Sequence, residues 1–212
     1  MTILFDLDGT VIDSTDAILE SFAVTFKKQG FSHDDESAVR ALIGHPLSVM
    51  FERLGVEKGR VDNFVMTYKE HYRTIANQKT VLLPGAKEAI ETASTFAALG
   101  VVTTKTGKYS KDILDNLGVG CYFSTVIGFE DVANPKPHPE PIEKALANMD
   151  ARRESTWMIG DTHLDILSAK AAAVNHVAVS SGYESRETLE KYTKTIKKDV
   201  FEAIKFIQDN HR

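Results

Sequence analysis

The sequence predicts an α/β fold, a Rossmann-like parallel sheet core with an inserted all-helical cap domain. Short, nearly continuous apolar runs alternate with helical stretches, which is how strands buried on both faces read. About ninety residues separate the first two runs, whereas a simple βαβ unit needs only a few dozen. Most of that excess has helical periodicity and no strand signal.

The elements follow in order. Residues 3–5 are the first strand, and residues 101–104, 125–127, 156–159 and 176–179 are the next four. Between the first two strands, apolar positions at helical spacing fall in four groups. They are Ile18 with Leu19, Phe22, Val24 and Phe26; Val39 with Leu42 and Ile43; residues 49–54; and residues 61–75. The chain returns at Leu82-Leu83-Pro84-Gly85. This divides it into a core of residues 1–13 and 81–212 and a cap of residues 14–80. Pro84-Gly85 opens a helix expected to run through Ala89, Ile90, Ala93, Phe96 and Ala97 to a stop at Gly100. Another follows Ser110 and stops at Gly118, and a third covers residues 141–149. These apolar stripes are read as core packing.

Composition narrows the function classes. The 212 residues are 42% hydrophobic and 26% charged, as in ordinary globular chains, so disorder is not expected. The net charge of -5, with both signs mixed along the chain, offers no basic footprint for nucleic acid. The single cysteine, Cys121, suits a reducing cytoplasm and reads as a small buried apolar residue. The apolar run before Asp6 is too short for a signal-peptide core or a membrane span, so a cytoplasmic protein is expected. Composition says nothing about oligomeric state.

Chemistry concentrates at the strand ends, where open α/β sheets bind ligands. Asp6-Leu7-Asp8-Gly9-Thr10 follows the first strand. Two carboxylates so spaced can divide attack from proton transfer, although an Asp-Gly turn alone is common. The second strand ends in Thr103-Thr104-Lys105, whose hydroxyls and amides can hold a phosphoryl oxygen. After the third comes Asn134-Pro135-Lys136-Pro137-His138-Pro139, a lysine stiffened by prolines into a fixed positive charge. The fourth ends in Gly160-Asp161-Thr162-His163-Leu164-Asp165, with two carboxylates at a helix start. Either could be a helix cap. Asp, Thr, Lys and Asp at four successive strand ends is harder to assign to accident.

This constellation resembles the haloacid dehalogenase-like hydrolase superfamily, in particular its phosphoglycolate phosphatase-like branch. The motifs are DLDGT from Asp6, VVTTK from Val101, KPHPEP from Lys136 and GDTHLD from Gly160, in the family's order and across nearly the whole chain. The resemblance implies a phosphoric monoester hydrolase working through an aspartyl phosphate. In it Asp6 is the nucleophile, Asp8 the general acid/base, Thr103 a phosphoryl hydrogen-bond donor and Lys136 the neutralising cation. Mg2+ is implied as cofactor, held by Asp6, the backbone carbonyl of Asp8, and Asp161, with Asp165 supporting from behind. That set suits a hard cation that keeps water and phosphate as its other ligands. The implied partner is a small phosphorylated metabolite, with no nucleic acid and no membrane.

The resemblance also directs the finer reading. An acid at Asp8 points to an oxygen leaving group, since departing halide needs no proton. His45, in the cap loop Gly44-His45-Pro46, and Thr104 are the expected substrate-binding residues. A polar or cationic His45 meeting a second negative group would favour phosphoglycolate. Pyrophosphatases, nucleotidases and sugar phosphomutases of the same superfamily are the alternatives. Thr104 stands where the branch commonly has Asn, and Ala172-Ala173 where Ala-Gly is common. His163 occupies a variable motif position and is expected to have no catalytic role. Receiver-type signalling modules also combine Asp, Thr, Lys and magnesium on a parallel sheet. Their phosphorylated Asp lies on a later strand, and they lack a helical insertion. A family member retained only for binding would have little reason to keep every catalytic position filled.

Overall fold

The structure is a computed structural model that describes residues 1–210. Six parallel strands form the main sheet: β1 (Thr2–Phe5), β4 (Ala98–Val102), β5 (Phe123–Ile127), β6 (Thr156–Gly160), β7 (Asn175–Val179) and β8 (Ile196–Lys197). Their order is β5-β4-β1-β6-β7-β8, so β1 is central. In-register pairing puts Phe5 opposite both Val101 and Ile159. The carboxyl ends of three neighbouring strands therefore lie level, which brings separate strand ends onto one site.

Alternation along β1 feeds both faces of the sheet, as a fully buried parallel strand requires. Ile3 and Phe5 enter one apolar cluster and Leu4 the other. Helices α5 (Ala86–Ser94), α6 (Gly107–Asn116), α7 (Glu140–Asn148), α8 (His163–Ala171), α9 (Arg186–Leu189) and α10 (Val200–Asp209) supply the covering layers.

The insertion is helical, as expected. It holds α1 (Thr15–Lys28), α2 (Glu36–Arg40), α3 (Leu47–Arg53) and α4 (Val61–Ile75). An aromatic cluster joins α1, α3 and α4: the Phe22 and Phe51 ring centroids are 4.7 Å apart, and those of Phe51 and Phe64 are 5.5 Å apart. Rings at these spacings attract beyond their simple burial. The chain enters and leaves the insertion through a two-stranded antiparallel ribbon, β2 (Ile12–Asp13) against β3 (Val81–Leu82).

Cys121, expected to be buried, is exposed, because it lies on the short turn Gly120–Tyr122, none of whose residues is buried. Other features of the fold also have physical causes. Helix α5 ends at Ser94, and Gly100 is the third residue of β4, not a helix stop. A Cβ there would come within 2.9 Å of Leu4 Cδ2 and 3.0 Å of Met149 Sδ, so the glycine admits close packing inside the sheet. The β2–β3 ribbon and β8 were not expected, because two-residue strands carry no measurable periodicity. Ala173, at φ 54°, takes the left-handed position of a helix-ending turn, where glycine is the usual occupant. The turn closes with bonds from Ala173 N to Lys170 O and Val174 N to Ala169 O.

Candidate active site

Asp6 leaves β1 and is fixed by its own amide, which donates to Ile159 O at 2.8 Å. The loop behind it tightens at once, with Val11 N and Ile12 N both donating to Leu7 O. Lys136 reaches Asp6 from the loop after β5, and its Nζ donates to Asp6 Oδ1 at 2.7 Å, Asp165 Oδ1 at 2.6 Å and Val102 O at 3.0 Å. All three Nζ protons of this buried ammonium are thus used. Burial alone would lower its pKa, but Asp165 and Asp6 raise it on balance, so it is held charged.

Prolines are only part of what stiffens the Lys136 loop. Glu140, at the start of α7, accepts from Ala133 N at 2.8 Å and from the backbone and side-chain nitrogens of Asn134 at 2.9 Å. Ser168 Oγ donates to His138 O at 2.8 Å and ties the far side to α8.

Asp161 follows β6 and is fully buried. It accepts from Thr10 Oγ1 at 3.0 Å and from Tyr183 N at 2.8 Å. Its approach requires two glycines: a Cβ at Gly9 (φ 81°) would lie 2.4 Å from Asp161 Oδ2, and one at Gly182 would lie 2.0 Å from it. Asp165 caps its own helix, accepting at Oδ2 from Thr162 N at 3.1 Å and Thr162 Oγ1 at 2.8 Å. Lys136 holds the other oxygen of Asp165.

Asp6, Asp161 and Asp165 present carboxylate oxygens that all lie within 4.8 Å of one another. Burial, opposed by Lys136 and reinforced by Asp165 and Asp8, pushes Asp6 up to about 7. Burial, then the charges of Asp6 and Asp165, push Asp161 well above the usual carboxylate range. Carboxylates under such strain are what a divalent cation relieves, so the residues fit the Mg2+ implied by the sequence.

Asp8 faces away from this cluster. It accepts a hydrogen bond from Ser14 Oγ, and its Oδ2 lies 3.2 Å from Lys105 Nζ. Lys105 also donates to Tyr72 Oη of α4 at 2.8 Å. Burial opposes its charge, but Asp8 and Tyr72 raise its pKa on balance. The part played by the Lys105 ammonium and by Tyr72 was not foreseen. Lys105 stood within a quoted motif, but nothing in the sequence paired it with a tyrosine in the insertion.

Thr103 is buried just past β4, where its hydroxyl accepts from Lys105 N at 3.1 Å and keeps its proton to donate. Thr104 instead donates to Gly44 O at 2.9 Å, tying the core to the loop that carries His45. The structure therefore gives Thr104 a clasping contact, and its hydroxyl proton is already engaged. His45 receives Arg53 Nη1 at 2.9 Å on Nε2. Burial, with Arg53 and His163 beside it, pushes His45 down to about 4. Of the polar and cationic forms expected of His45, this environment favours the neutral polar one, and the positive charge at this loop belongs to Arg53. His163 is held by Glu184 and stacked on Tyr192, with ring centroids 5.2 Å apart, away from the carboxylate cluster.

A cavity of about 240 Å³ opens between the insertion and the core. It begins at Asp8 and the Gly44–His45 loop and runs along α4 to Tyr109 and Phe129. No helix among the described residues is long and apolar enough to cross a membrane.

Comparison with known proteins agrees with this geometry. Pyrophosphatase PpaX of Anoxybacillus flavithermus is 38% identical over 197 residues, covering 90% of this chain and 88% of that protein. A phosphoglycolate phosphatase of Yersinia pseudotuberculosis is 28% identical over 194 residues, covering 88% and 84% respectively. The solved structure of a haloacid dehalogenase-like family hydrolase from Streptococcus pneumoniae superposes with a TM-score of 0.88 at 28% identity, covering 98% of both chains. The family model for haloacid dehalogenase-like hydrolases matches residues 3–179, which take in all four strand-end motifs. With the carboxylates, threonine and lysine of those motifs gathered at one end of the sheet, this chain belongs to the haloacid dehalogenase-like hydrolase family.

Proposed function

We propose that the protein is a magnesium-dependent phosphatase that hydrolyses a small phosphate ester through a phosphorylated Asp6. The observation that carries this reading is the junction of Lys136 with Asp6, beside Asp161. Lys136 occupies one oxygen of Asp6, orienting the other for attack on phosphorus. Attack forms the Asp6–phosphorus bond as the ester oxygen departs, and Asp8 gives that oxygen its proton. Asp8 then takes a proton from the water that cleaves the aspartyl phosphate, returning Asp6 as a carboxylate. Thr103 donates to a phosphoryl oxygen, and Lys136 offsets charge built up in the transition state. Asp6, the Asp8 carbonyl and Asp161 would hold Mg2+, with Asp165 behind them. When bound, the ion offsets negative charge between two anions that would otherwise repel.

Residues 14–80 act as a cap that keeps bulk water from the intermediate. The bonds from Thr104 to Gly44 and from Lys105 to Tyr72 both span the junction of insertion and core. A covered site admits a small metabolite and disfavours a macromolecule, and a cytoplasmic setting is consistent with such a partner. Phosphoglycolate and pyrophosphate are the two substrates that the names of the relatives bring forward.

Asp6→Asn tests the reading. The amide is nearly isosteric and leaves Lys136 bonded to Asp165 and Val102. Turnover of p-nitrophenyl phosphate with Mg2+ should fall at least a thousandfold with the melting temperature preserved. A loss under about tenfold, equivalent to about 1.4 kcal/mol in barrier, would remove Asp6 from the nucleophile role.

A further inference from the structure

Asp8 points into the cavity between insertion and core. If Asp8 protonates the leaving oxygen, the organic half of the ester must lie on the Asp8 side, and this cavity is the space available there. Its walls are mostly apolar. Ile18, Leu47, Met50 and Val65 come from the insertion, and Tyr109 and Phe129 from the core. A buried space of about 150 Å³ is enough to take a benzene ring, so about 240 Å³ accommodates a ring with a short linker.

The charged groups lining the cavity balance. Two carboxylates, Asp8 and Asp62, stand against two ammonium groups, Lys69 and Lys105. Lys105 is already engaged by Asp8 and Tyr72. His45 accepts a hydrogen bond from Arg53 and adds no charge. A second anionic group on the substrate, whether the carboxylate of phosphoglycolate or the far phosphate of pyrophosphate, would give up its hydration against a lining that carries no net positive charge. An apolar group would lose water at no such cost.

Given the phosphatase reading above, we infer that the substrate is a monophosphate ester of an alcohol bearing an uncharged apolar or aromatic group about one ring in size, seated in the cavity beside Asp8. The alcohol leaves with the proton of Asp8, and its ring remains between α4 and the Tyr109–Phe129 wall until the cap opens.

The test compares kcat/KM with Mg2+ for benzyl phosphate, ethyl phosphate, phosphoglycolate and pyrophosphate. Benzyl and ethyl alcohols are similar leaving groups, so their ratio reads the cavity and not the bond broken. Benzyl phosphate should exceed each of the others at least tenfold. Val65→Arg, which puts a cation into the apolar wall, should cut the benzyl-to-ethyl ratio at least fivefold and raise phosphoglycolate relative to benzyl phosphate. Leu47→Ser should also lower the benzyl-to-ethyl ratio. Equal or better turnover of phosphoglycolate or pyrophosphate overturns the inference while leaving the phosphatase reading intact. Failure to turn over any ester sinks the phosphatase reading instead. In that event calorimetric binding of benzylphosphonate and methylphosphonate still decides the cavity. At least tenfold tighter binding of the benzyl compound supports it, and equal binding overturns it.

Discussion

The ammonium of Lys105 lies 3.2 Å from a carboxylate oxygen of Asp8, although the two residues leave the sheet on different strands. The Ser14 hydroxyl holds the other oxygen, so Asp8 is clamped between the start of the insertion and the end of β4. Lys105 also grips Tyr72 of α4, which makes the geometry of the proposed acid depend on the position of the insertion.

Asp8→Asn should therefore separate good leaving groups from poor ones. The amide can keep the Ser14 contact but loses both the proton and the ion pair. Alkyl phosphates should lose about 10²–10⁴-fold in kcat/KM, the usual worth of general acid catalysis. p-Nitrophenyl phosphate, whose phenolate departs readily, should lose less than tenfold. Equal losses on the two esters would take the acid role from Asp8.

Lys136→Met leaves Asp6 and Asp165 facing each other without their shared cation. Breaking a buried pair in this way costs about 3–5 kcal/mol. Urea unfolding should show a loss in that range, partly recovered when Asp165→Asn is added to the same chain. No recovery would mean that repulsion between the two carboxylates is not what Lys136 offsets.

Stability of the metal-free protein should fall as pH rises. Asp6 has an ordinary pKa of 3.8 when unfolded and about 7 when folded. Between those values the native state binds more protons than the unfolded state, so unfolding becomes easier with rising pH. Asp161 shifts in the same direction. Mg2+ should reverse the trend, because an ion held by deprotonated carboxylates would bind more tightly as pH rises. Melting temperatures with and without Mg2+ should differ more at pH 8 than at pH 5. A constant difference would place the metal away from Asp6 and Asp161.

Ala173→Gly should stabilise the protein. Ala173 sits at φ 54°, and an L-residue there pays about 1–2 kcal/mol, part of which glycine returns to the flexibility of its unfolded chain. A net gain of about 1 kcal/mol in urea unfolding is expected, with kcat unchanged. No gain would mean that neighbouring residues relax the strain.

What could be read from the sequence was whatever a local pattern encodes. The five longer strands and the helical insertion follow from periodicity, and the strand-end residues follow from their places after apolar runs. Helix α4 begins and ends where its apolar spacing does, at Val61 and Ile75. Relations between distant segments were not legible. The Lys105–Tyr72 bond spans 33 residues and the Thr10–Asp161 bond spans 151, and no spacing rule connects either pair. The sequence left the form of His45 open for a related reason. Its pKa is set by burial and by Arg53, eight residues along at the end of α3, neither of which its own loop sequence shows.

The two glycines pressed against Asp161 bear on how such a chain can diverge. A side chain at position 9 or 182 would need the room taken by the carboxylate of Asp161. No single substitution at either site can therefore be absorbed while Asp161 stays in place. Among descendants of this sequence, positions 9, 161 and 182 should behave as one inherited unit. A lineage that lost either glycine would be expected to have abandoned the carboxylate first, and the chemistry with it, so a non-glycine at 9 or 182 would mark a copy released from catalysis.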